Sequence, residues 1–283
     1  MEPELVTEEE RARKVLATRD RMSIVVESII ATLVVFVALT GNCLVCIAVC
    51  RCPRLRTISN AFIGSLAMAD FLIAVTVVTP SIALTITNRM ILPEAICQSQ
   101  AYFALSLLSV SLLTMCLTAI HRYMKVVRPP HRGQILVTKR SVALAISSSW
   151  IFSFMFPSIY WAAGRKARFY PGEMLCFFDL LVVKTPGITM SYVIIFGIII
   201  YGTIVFCYAQ VYRTVRQHKQ RLRARTVQPQ GIRRQNTRLS VEELRVTRLL
   251  VAVVLSYVIC WLPALVLWGF KAYGVPVHRR LEY

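Results

Sequence analysis

Six stretches of this chain are each long and apolar enough to cross a bilayer, which needs about 20 mostly apolar residues per helix. No other feature restricts the possible folds as much. The runs lie at about Ile24–Val49, Ile58–Leu84, Cys97–Val127, Ser141–Ala163, Pro186–Tyr212 and Leu244–Phe270. After Phe270 only Lys271–Tyr283 remain, a segment too short and polar to span. The expected fold is an all-α membrane protein with six spans. The expected organisation is an outer N-terminal tail (1–23), a helical bundle (24–270) and a short polar C-terminal tail (271–283).

Composition agrees. The chain is 56% hydrophobic and 17% charged, against roughly 45–50% and about 25% for soluble domains. That excludes disorder and argues against a soluble enzyme. Lys and Arg number 33 against 14 Asp and Glu, a formal net charge of +19. A nucleic-acid binder would carry such charge on a soluble fold; here it falls between apolar runs, so no nucleic-acid partner is expected. Cys43, Cys46, Cys50, Cys116, Cys207 and Cys260 sit within those runs and read as small packing residues. The first 23 residues are charged and lack the pattern of a cleaved signal peptide.

Basic residues in short loops set the orientation. The first loop carries Arg51, Arg54 and Arg56; the third carries Arg128, Arg132, Lys139 and Arg140. The fifth is a long basic segment beginning at Arg213 and Arg216. The second loop has only Arg89, and the fourth mixes signs. Odd loops are therefore read as cytoplasmic, and the N-terminus as outside. Membrane lipids are expected partners, and the fifth loop is basic enough to meet anionic headgroups and an acidic partner surface.

Ionisable groups inside a span mark functional sites by default. Asp70 lies about 20 Å along its helix from Thr57, at about 1.5 Å per residue. Asn42 and Ser111 fall at a comparable depth. The three could hold water or a small cation such as sodium; they could equally form an interhelical hydrogen-bond knot without an ion. Arg122 ends the third run within His121-Arg122-Tyr123, about 37 Å of helix from Cys97. Cys97 thus lies at the outer face and Arg122 at the inner face. Cys176, in the outer fourth loop, is the natural disulfide partner of Cys97, because the outside is oxidising. Glu243 begins the sixth run, where it could pair with Arg122 or simply suit the helix dipole. Pro263 removes a backbone hydrogen bond and kinks that helix. Trp261, just before the kink, reads either as a sensor of the bundle interior or as core packing.

Together these residues resemble the rhodopsin-like (class A) G-protein-coupled receptors, over about Ile24–Phe270. The likeness rests on Gly41-Asn42-x-Leu44-Val45, Leu66-Ala67-Met68-Ala69-Asp70, Cys97 with Cys176, His121-Arg122-Tyr123, Trp150, Tyr208 and Cys260-Trp261-x-Pro263. It implies a seven-helix receptor-type bundle with six spans present, an extracellular ligand and a heterotrimeric G protein as partner. It implies a plasma-membrane location and no enzymatic activity. His121, Arg122, Tyr123, Tyr208 and Glu243 would serve coupling and an ionic lock. Asn42, Asp70 and Ser111 would form the polar or sodium site, with no resident cofactor beyond that ion. Ala104, Leu105, Leu108, Trp261, Pro263, Leu265 and Trp268 would form the toggle and ligand pocket.

Departures are also present. His121 stands where an acid usually precedes the motif arginine. The fifth run lacks a mid-helix proline, with Gly197 and Gly202 as substitutes. The family's seventh helix is expected to be missing, so a non-signalling truncated paralogue is an alternative. Ala104 occupies the position where amine receptors carry an aspartate, which favours a neutral or lipophilic small molecule. The stretch Ala119–Pro129 resembles melatonin-receptor-like and related invertebrate orphan receptors. A small transporter is the more distant rival, but the paired broken helices it would show are not seen.

Overall fold

The computed structural model describes residues 14–127, 138–162, 164, 166–178 and 186–224, together with 252, 254–256, 259 and 266. Within these residues five helices are long and apolar enough to cross a membrane. They are α1 (Arg21–Arg51), α2 (Ile58–Thr87), α3 (Glu94–Val126), α4 (Lys139–Ala162) and α5 (Pro186–Ala224). The sixth apolar run lies almost entirely outside the described residues. Its Val254 is buried in a cluster with Met115 and Ala119 of α3 and Ile200, Ile204, Cys207 and Tyr208 of α5.

Helix ends follow local chemistry. The Asp20 side chain accepts the Met22 N–H at 3.2 Å, so α1 starts before its apolar run does. Thr57 caps α2 by accepting the Asn60 N–H at 3.3 Å. Asn88 ends α2 in the left-handed conformation, φ 48°. Inside α2, Ala74–Val78 form a π-helical turn, in which the Thr79 N–H donates to the Ala74 carbonyl. Pro80 follows and has no N–H to donate, so the widened turn accommodates a break that a straight α-helix would have to absorb as a kink.

Helix α3 is the axis of the bundle and packs against α2, α4 and α5. Half of its most apolar window is buried, against 6% for α1. Ile29, Ile30, Leu33, Val34 and Val37 of α1 are all exposed. In water that surface would be an aggregation patch; in lipid it is the solvated face. The hydroxyls of Ser28, Thr32, Thr76, Ser109 and Thr118 each donate to the carbonyl four residues earlier. Polar groups in hydrocarbon must be satisfied internally, and these are. Between helices, the Trp150 indole N–H donates to Ser65 Oγ at 2.9 Å and ties α4 to α2. The Tyr102 hydroxyl lies 3.0 Å from the Phe154 carbonyl and ties α3 to α4.

One element amends the all-α expectation. Strands β1 (Ala167–Tyr170) and β2 (Leu175–Phe178) form an antiparallel hairpin between α4 and α5. Pro171 and Gly172 open its four-residue turn, and Met174 closes it in the left-handed region, φ 48°.

Candidate functional site

At the disulfide end of the bundle, β2 lies across the top of α3. Cys97 and Cys176 are bonded across 79 residues, with both side chains buried. Phe177 and Phe178 pack on Ala101, Ala104 and Val77. Ala104 is buried in this cluster, Leu105 packs against it, and Leu108 is half-buried one turn further along. The hairpin is thus the roof over the expected ligand region, and that region of α3 is apolar. A segment before α1 closes the same end. Leu16 packs on Leu84 and Met174, and its carbonyl accepts from Asn88 Nδ2 at 2.8 Å.

Gln100 is the residue that sequence reasoning missed here. Its side chain is buried. Nε2 donates to the Val77 carbonyl at 2.9 Å and to Ser81 Oγ at 3.0 Å, while Oε1 accepts the Cys176 N–H at 2.9 Å. One amide thereby joins α3, the π-turn of α2 and the disulfide strand. The available signal was a glutamine six residues past the start of an apolar helix, where an unpartnered buried amide would be costly.

Halfway down the bundle, Ser111 Oγ donates to Asp70 Oδ1 at 3.2 Å. Among the described residues Asp70 has no cationic partner. The carboxylate and hydroxyl are hard oxygen donors, which suit a small hard cation. Asn42 is differently engaged: its Nδ2 donates to the Ala38 carbonyl of its own helix at 2.9 Å. Two of the three expected oxygen ligands are therefore joined by a hydrogen bond, and the third is anchored within α1.

At the opposite end, the three motif residues of α3 point in different directions, as successive positions on a helix do. The His121 ring lies 5.4 Å from that of Phe62 in α2. The Tyr123 ring lies 5.8 Å from that of Phe206 in α5. Arg122 is buried between these contacts. Tyr208, also buried, belongs to the apolar cluster that joins α3 to α5. Arg122 is thus a buried arginine near the end of the central helix, with an aromatic contact made by the residue on either side of it. Glu243, Trp261, Pro263, Leu265 and Trp268 lie outside the described residues.

These features define a multi-pass helical membrane protein with a covalently fastened roof at one end and a buried arginine at the other. Comparison with known proteins then identifies the family. Residues 41–278 match the 7 transmembrane receptor (rhodopsin family) profile, and the chain belongs to that family. It is a family of receptors and not of enzymes. The chain is 27% identical to melanopsin of Felis catus over 260 residues, covering 87% of this chain and 52% of that protein. It is 24% identical to the histamine H2 receptor of Canis lupus familiaris over 248 residues, covering 86% of this chain and 66% of that protein. It is 34% identical to octopamine receptor 1 of Lymnaea stagnalis over 166 residues, covering 57% of this chain and 26% of that protein. The chain spans about half the length of the melanopsins it matches.

Proposed function

We propose that this chain binds an extracellular small molecule and activates a heterotrimeric G protein from the plasma membrane, with its N-terminus outside. The observation that carries this reading is Arg122, buried at the end of the axial helix between the Phe62–His121 and Phe206–Tyr123 contacts. Ligand binding would act by shifting the population between two bundle arrangements, one of which opens a cleft around Arg122. Tyr208 would respond to the same opening, and Glu243 would contribute the ionic lock. The relatives' names include dopamine, octopamine and histamine receptors as well as melanopsin, so they do not converge on one ligand. The buried Ala104 and the phenylalanines above it favour a neutral, lipophilic molecule over an ammonium. The likeness of Ala119–Pro129 to melatonin-receptor-like sequences points the same way.

The test is guanine-nucleotide exchange in membranes holding the full chain and each Gα class in turn. Raised exchange on at least one class is expected, falling at least tenfold in Arg122→Ala at equal surface expression. Equal exchange with and without the receptor for every class would refute the reading.

We further propose that Asp70 and Ser111 hold a sodium ion. When bound, the ion would neutralise the carboxylate inside the bundle. Sodium chloride is expected to raise the unfolding temperature of the detergent-solubilised chain above that in choline chloride. Asp70→Asn should abolish the difference. An unchanged sodium dependence in that variant would argue for a hydrogen-bond knot instead.

A further inference from the structure

At the Arg122 end, a groove of about 320 Å³ opens where α1 ends and α2 and α4 begin. Val49, Ala61, Val142 and Ala143 form its apolar walls, and Arg56 and Lys139 stand at its edge. The volume is near the lower end of the roughly 300–1,000 Å³ typical of small-molecule sites. Both cations are exposed at their positions. Arg56 is steadied there, because its Nη2 donates to the Cys50 carbonyl at 2.5 Å. Trp150 bonded to Ser65 closes the space between α2 and α4 further up.

The charge around this groove is of one sign. Arg51, Arg54 and Arg140 adjoin the two lining cations. No Asp or Glu occurs anywhere in residues 28–69 or 95–172 of the sequence. Neither stretch supplies a carboxylate to Arg56 or Lys139, so the edge of the groove is open to an anion. The walls say which kind. A free phosphate or a nucleotide would gain nothing from Val49, Ala61, Val142 and Ala143. A molecule with a phosphate joined to hydrocarbon satisfies both parts. The groove also lies at the ends of three spans, at the level where such a molecule's headgroup sits.

We propose that this groove is a binding site for one anionic phospholipid. Its phosphate lies between Arg56 and Lys139, and the upper part of one acyl chain lies along Val49, Ala61, Val142 and Ala143. The site joins the ends of α1, α2 and α4 at the Arg122 end of the bundle. It is independent of the ligand and of G-protein coupling.

The test uses the full chain in nanodiscs of phosphatidylcholine with phosphatidylglycerol at equal parts. Lipid retained after transfer to detergent is counted by native mass spectrometry. Wild type should keep one phosphatidylglycerol in preference to phosphatidylcholine. R56A/K139A should weaken that retention about thirtyfold, the effect of two juxtamembrane cations. A143W, which fills the groove without changing charge, should lower retention comparably. R216A, on α5 away from the groove, should leave it unchanged. Retention unaffected by R56A/K139A would overturn the proposal. So would a loss in R56A/K139A with none in A143W, which would mean general attraction to the basic surface. Displacement by millimolar inorganic phosphate in both wild type and A143W would indicate a free-phosphate site, and displacement by purified G protein alone a protein-docking surface; either also overturns it. Lys139→Ala alone, an exposed change, provides the same reading if the double variant folds poorly.

Discussion

Replacing Cys97 or Cys176 by serine is expected to destabilise the chain by roughly 3–4 kcal/mol and to remove most of it from the cell surface. The size follows from the loop. The bond joins residues 79 apart, and closing a loop of that order restricts the unfolded chain by about 4 kcal/mol in the chain-entropy account. The structure adds a local reason. Both half-cystines are buried, and β2 carries Phe177 and Phe178 onto Ala101 and Ala104. Releasing Cys176 frees the roof, so ligand binding should suffer along with stability. The double serine variant should be no worse than either single one, because each removes the same bond. Surface labelling and thermal unfolding of the solubilised protein measure both effects. A double variant markedly worse than the singles would show that the two thiols have separate roles.

Gln100→Leu is expected to cost about 2–3 kcal/mol. Leucine fills a similar space but abandons the Cys176 N–H and removes the donor shared by the Val77 carbonyl and Ser81 Oγ. A buried polar group left without its partner costs about 1–3 kcal/mol. Ser81→Ala removes only one of the three bonds. It should cost about 0.6 kcal/mol, the average for a hydrogen bond between membrane helices. The ratio between the two variants in thermal unfolding is the readout. Equal effects would mean that the amide is not the junction of the three elements.

The spans were readable in the sequence because hydrocarbon permits little else. A run such as Cys97–Val127 has no other way to satisfy its backbone. Their ends were less readable, because hydropathy and helicity stop at different residues. Helix α1 begins at Arg21, where Asp20 caps it, ahead of the apolar Ile24. Helix α5 continues past Tyr212 to Ala224 through arginines, glutamines and a lysine, which are good helix formers though not apolar. The hairpin was hidden because Pro171-Gly172 marks a turn without saying that strands flank it. Among site residues, charges in lipid announced themselves: Asp70 and Arg122 could be found by their cost alone. Phe62 and Phe206, which meet the arginine motif's neighbours, could not, since a phenylalanine in a span looks like any other apolar residue. Gln100 was passed over because one glutamine in a helix is ordinary until its three partners are known.

The π-turn at Ala74–Val78 changes the helical phase of α2 beyond it. A π-turn accommodates one residue more than an α-turn in the same advance. Each residue of an α-helix turns the chain by about 100°. Beyond Val78, therefore, the outer part of α2 is out of phase with its inner part by about one residue. In the folded chain Ser81 meets Gln100, and Leu84 is fully buried against Leu16 and Met174. An ungapped alignment with a relative lacking this turn would match residues correctly up to about Ala74 and pair the wrong faces from Thr79 to Thr87.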